Sequence, residues 1–149
     1  MSAHVSSQII SAVVSRLSAV ATVHVVPLHS VPIETLPAIV IENIEDETVE
    51  ALGPGPVSER HGMSFEVFGL VAATSGMVTA AGALRTEIEK ALMNSKASIT
   101  LDGLAKPGIR RTSAYFRHDS ESLQKPVGGW SMKFNCVYHI KTDAPDTVV

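Results

Sequence analysis

The chain has 149 residues, of which 45% are hydrophobic and 18% charged, with a formal net charge of −3. That length suits one domain with its own core, and the acidic balance argues against a grip on nucleic acid or an anionic membrane. A single cysteine excludes an internal disulfide framework and a multi-cysteine metal site, and points to a reducing compartment. A mean hydropathy of +0.21 is slightly apolar for a soluble monomer, which hints at surface buried against other subunits.

Residues 6–20 carry Ile9, Ile10, Val13, Val14 and Leu17 at helical spacing, which predicts an amphipathic helix capped by Ser6 or Ser7. Arg16 breaks its apolar run and no basic segment precedes it, so it reads as neither a signal peptide nor a membrane span. Residues 23–26 predict a short strand stopped by Pro27. Three prolines between 27 and 37 then require an extended loop or edge segment.

Residues 38–44 (AIVIENI) predict a strand, and Glu42, Glu45, Asp46, Glu47 and Glu50 follow with no base among them. Gly53-Pro54-Gly55-Pro56 marks a turn. Residues 60–71 predict a longer strand, apolar on the face of Met63, Phe65, Val67 and Val71 and mixed on the face of Phe68 and Leu70. The two strands should pair antiparallel as a long hairpin whose tip, around 45–60, carries the acids.

Residues 75–94 give the clearest helix, with a stripe of Met77, Ala80, Ala81, Leu84, Ile88, Ala91 and Leu92, a cap at Thr74 or Ser75, and a stop at Asn94. Residues 99–108 read as a short strand or loop, and 109–118 as a strand. After a Gly-Gly turn, Trp130, Met132, Phe134, Cys136, Tyr138 and Ile140 alternate along a last strand with one face committed to a core. Pro145 should leave 141–149 as a polar tail. The order α-β-β-β-α-β-β predicts one α+β domain over 1–149, with a mixed, mainly antiparallel sheet of about five strands and both helices on one face.

Little in the sequence carries chemistry. The six histidines never stand at i,i+4 on a predicted helix, and there is no HExxH, GxSxG, Walker A or GxGxxG. A metal site assembled by the fold would have to draw on residues such as His61, His118 and His139. Cys136 shares a face with Trp130 and Phe134, which favours a buried hydrophobe over a nucleophile. The acids at 42–50 lack the spacing of a calcium loop, and suit a solvated tip or a negatively charged channel wall. Arg110 and Arg111 alternate to opposite faces, so they form no concentrated basic patch.

The chain as a whole resembles the tail terminator family of long-tailed bacteriophages, also called minor tail protein U or tail-to-head joining proteins. The likeness rests on the N-terminal helix, Leu36-Pro37-Ala38-Ile39-Val40, the Gly/Pro hairpin, the helix with Leu84-Arg85-x-x-Ile88-Glu89-x-Ala91-Leu92, Gly-Gly-Trp, and the closing Tyr138-His139-Ile140-Lys141-Thr142. The resemblance implies a structural virion protein without catalytic residues or cofactor, assembled in the host cytoplasm. It implies a hexameric ring that caps the tail tube, stops its growth, meets the head connector and lets DNA pass without specific binding. Under that reading Glu45, Asp46, Glu47 and Glu50 would line the lumen, while Phe68, Leu70, Leu28 and Ile33 would supply subunit contacts. A neck or tail-tube protein of similar fold is the nearest alternative. A small-ligand-binding or enzymatic α+β domain is the alternative from another class.

Overall fold

A computed structural model describes residues 2–25, 36–51, 57–73, 75–119 and 127–149. The apolar spacing of the first segment produces helix α1 (Val5–Leu17), which buries Val5, Ile9, Val13 and Leu17 as one stripe. Its cap is His4 and not a serine: the His4 ring nitrogen accepts the Ser6 amide at 3.1 Å. Strand β1 (Thr22–His24) follows, then β2 (Ala38–Ala51) and β3 (Ser58–Ala72). Helix α2 (Met77–Met93) buries Ala81, Leu84, Ile88 and Leu92 and ends at Asn94 as expected. Its first cap position is Gly76, left-handed at φ 67°, with no side-chain cap bond; Thr74 lies outside the described residues.

Two readings need correction, and the choice of strand or loop over 99–108 falls to the loop. Residues 99–108 contain no strand; a short helix, α3 (Lys96–Ile99), is capped by Ser95 and runs into turns, because Leu101, Asp102 and Gly103 adopt positive φ. The tail is not free. After β4 (Arg110–Asp119) and β5 (Val127–Lys141), a strand β6 (Ala144–Val148) pairs with the end of β5, and Pro145 is tolerated at this margin. The Gly-Gly pair is no turn but lies inside β5, opposite Leu70 and Val71. A Cβ on Gly129 would stand 1.7 Å from the Gly69 carbonyl oxygen, so the two strands meet only because the side chain is missing.

The result is the expected α+β architecture, a curled mixed sheet in the order β1-β2-β3-β5-β4 with β6 beside β5. β1 joins β2 in parallel, and the other pairs are antiparallel. The inner face carries Ile39, Ile41, Phe65, Val67, Met132, Phe134 and Tyr138, and α1 and α2 pack over it in one core. Phe65 stacks on Phe134 at 5.8 Å. α2 comes close enough over Gly69 that a Cβ there would sit 2.8 Å from the end of Ile88. The outer face holds a second small cluster of Val40, Phe68 and Leu70, with Leu36 and Val127 against it.

Candidate functional site

The acid-rich segment forms strand, not a turn tip. β2 continues to Ala51 and pairs with β3 as far as Ala51–Glu59, with irregularities between Glu42 and Glu45 and between Thr48 and Glu50. Asn43 takes φ 51° at the first irregularity, and its side-chain amide donates to Glu66 at 2.9 Å. Asn is among the few residues that accept this conformation readily, and the extra residue resets which face each acid occupies.

That reset divides the acids. Asp46 turns to the inner side, where its two oxygens meet His61 Nδ1 at 3.2 Å and accept the Tyr138 hydroxyl. Glu59 meets the other ring nitrogen of His61 at 2.8 Å. The His61 ring, 8% exposed, stacks on Tyr138 at 4.9 Å, and His4 stands edge-on to both. This network locks the far ends of β2, β3 and β5 to the start of α1. Burial raises the Tyr138 hydroxyl above the usual phenol range, and the Asp46 carboxylate that accepts its proton raises it further. Burial, with the Asp46 charge nearby, pushes the Cys136 thiol up to about 12, so the thiol is held protonated and unreactive.

Glu45, Glu47 and Glu50 stay in solvent. Glu45 and Glu47 form no ion pair among the described residues, while Glu50 stands 3.8 Å from Arg60. With Ser64, Asn135, Lys133 and Arg110, Glu45 and Glu47 rim an open, mixed-charge cleft on the outer face. Glu42 is held instead by Arg117 at 2.8 Å, and that guanidinium lies 4.4 Å above the Phe68 ring. Phe68 and Leu70 are themselves buried at 2% and 5% exposure, so neither offers open apolar surface to a neighbour. Leu28 and Ile33 lie outside the described residues.

The remaining arginines split as alternation requires. Arg111 reaches the inner side and meets Glu89 on α2, which also accepts from Arg85 at 2.8 Å; Arg85 lies 4.5 Å over Trp130. Burial alone would raise the Glu89 pKa, but the two arginines outweigh it and hold the carboxyl below its usual range. Arg110 faces the outer cleft without an ion pair among the described residues. His118 stacks on Phe116, and His139 lies on β5 opposite Arg60, so the fold brings neither to His61. Among the described residues no group of three His, Cys, Asp or Glu could hold a metal, and no helix is long and apolar enough to cross a membrane.

The Asp46–His61–Glu59–Tyr138 network was missed in sequence because the bulge hides it. Glu59, His61 and Met63 do alternate onto one face, and that was the available signal. Neither protein-family models nor curated proteins provide a match to this chain.

Proposed function

We propose that the chain is a phage tail terminator, a structural protein that forms a ring on the last layer of the tail tube and stops its growth. The ring would also offer the surface on which the head connector docks. Support comes from the resemblance in element order together with the α+β sheet clad by helices on one face. One observation carries it: β2 runs on from its buried half as an exposed, acid-rich strand bearing Glu45, Glu47 and Glu50. An assembly that conducts DNA benefits from carboxylates that repel phosphate along its bore. Under this reading the carboxylate-bearing face of β2 borders the DNA path, with Glu45 nearest the seam between subunits and Glu50 toward the bore, and Asp46 serves the fold.

The test is capture at tube ends. Purified chain added to growing tail tubes should appear as an extra ring at one end in negative stain, and elongation should cease. Bare ends and unchanged tube lengths would remove the proposal. If the chain instead extended the tubes, it would be a tube subunit. The mixed-charge cleft rimmed by Glu45, Glu47, Arg110 and Lys133 favours a second reading, a pocket for a small zwitterion. A titration with a free amino acid that shows no binding to the purified chain would remove it.

A further inference from the structure

The sheet has two margins at which the described backbone lacks a partner strand. β1 covers β2 only from Ala38 to Val40, and beyond that the described partner of β2 is β3 alone. At the opposite margin the described partner of β4 is β5 alone. Such edges present unpaired N–H and C=O groups to any strand that can lie alongside. Apolar side chains stand beside them: Ile44 and Val49 on β2 are 42% and 50% exposed, and Tyr115 on β4 is 45% exposed.

Charge decides which edge suits which. Residues 42–51 hold five acids and no base, whereas β4 carries Arg110, Arg111 and Arg117 against the single acid Asp119. Two β2 edges together would oppose carboxylates, and two β4 edges would oppose guanidinium groups; like charges across a strand pair destabilise it. Arg111 and Arg117 are engaged by Glu89 and Glu42, so among the described side chains the charges left over are Glu45 and Glu47 on one margin and Arg110 on the other. These lie level with each other. The pairs Glu45–Ser64, Ser64–Asn135 and Asn135–Arg110 form one row across the sheet, with Glu45 and Arg110 at its two ends.

Strand direction agrees. β2 opposes β3, β3 opposes β5 and β5 opposes β4, so β4 runs opposite to β2. Copies that continue the sheet head to tail would therefore join by an antiparallel pair, and an unstaggered junction sets Arg110 of one copy level with Glu45 of the next.

We infer that the β2 edge takes the β4 edge of a second copy of this chain, so that the sheet continues antiparallel from subunit to subunit. The inference deepens the ring reading, on which it rests for self-assembly, by naming the two surfaces that meet. A contact of this kind is heterologous: it closes into a ring or runs on as a filament, but does not stop at a dimer.

The experiment uses two full-length variants, E45K/E47K and R110E, checked for fold by circular dichroism and assembled with and without tail tubes. Mass is read by light scattering and shape by negative stain. Each variant alone presents like charges at the junction and should assemble at least about tenfold more weakly than the parent. Mixed one to one, they should recover assembly, because each edge then finds its opposite. Variants that assemble as well as the parent overturn the edge pairing, and if they also cap tubes the terminator reading survives. Recovery by the mixture as filaments instead of rings keeps the pairing and removes the terminator. A mixture that recovers only as a dimer, or a parent that stays monomeric even with tubes, overturns the inference.

Discussion

The two halves of β2 belong to the same strand and behave as different materials. Ala38–Ile41 is fully buried, with Ile39 and Ile41 under the helices and Val40 in the outer cluster with Phe68 and Leu70, while every residue from Asn43 to Ala51 is exposed. The first half follows the rule for a strand inside a core, apolar on both faces. The second half keeps its ladder to β3 but exchanges apolar side chains for carboxylates. Strand formation alone therefore does not say whether a segment serves the core or the surroundings. Side-chain chemistry and the packing overhead do.

The largest effect should separate the halves directly. Ile41→Ala removes a fully buried side chain and should cost about 2–5 kcal/mol in urea unfolding. Val49→Ala, eight positions on and half-exposed, should stay within about 0.5 kcal/mol. Equal losses at the two positions would end the distinction.

A smaller contrast lies between adjacent acids. Asp46→Ala deprives the Tyr138 hydroxyl and His61 of their shared acceptor and should cost about 1–2 kcal/mol, toward the low end because Asp46 is partly exposed. Glu45→Ala should be silent in the same unfolding experiment. A silent Asp46→Ala would mean that the network adds nothing to the fold.

The smallest effect concerns pH. Glu89 is held below the usual carboxylate range in the folded chain, so its contribution is complete above that range and fades as pH falls through its folded value. Glu89→Gln should be less stable than the parent by about 0.5–1 kcal/mol at neutral pH. That gap should narrow on acidification, and a gap independent of pH would contradict the Arg85–Glu89–Arg111 arrangement.

Much of this was legible from spacing. The stripe at Ile9, Val13 and Leu17, the stripe at Leu84, Ile88 and Leu92, and the alternation from Met132 to Ile140 each buried the faces they promised. Both helices lie on that inner face. What misled was punctuation. The acids looked like a turn, yet β3 lends them a ladder, and a strand edge tolerates charge well. Gly128 and Gly129 looked like a turn because glycine usually marks one, whereas here its missing side chain admits the Gly69 carbonyl. The site was less legible than the fold. One positive φ at Asn43 decides that Asp46 turns inward while Glu45 and Glu47 do not, and no periodicity rule contains that step.

The claim that the acidic half of β2 is an assembly surface is tested most directly by hydrogen exchange on the isolated and the assembled chain. Amides in 38–41 should be protected in both states. The account predicts that amides in 42–51 that exchange quickly in the isolated chain become protected once the chain assembles, alone or on tail tubes. Fast exchange throughout 42–51 in the assembled state would contradict it.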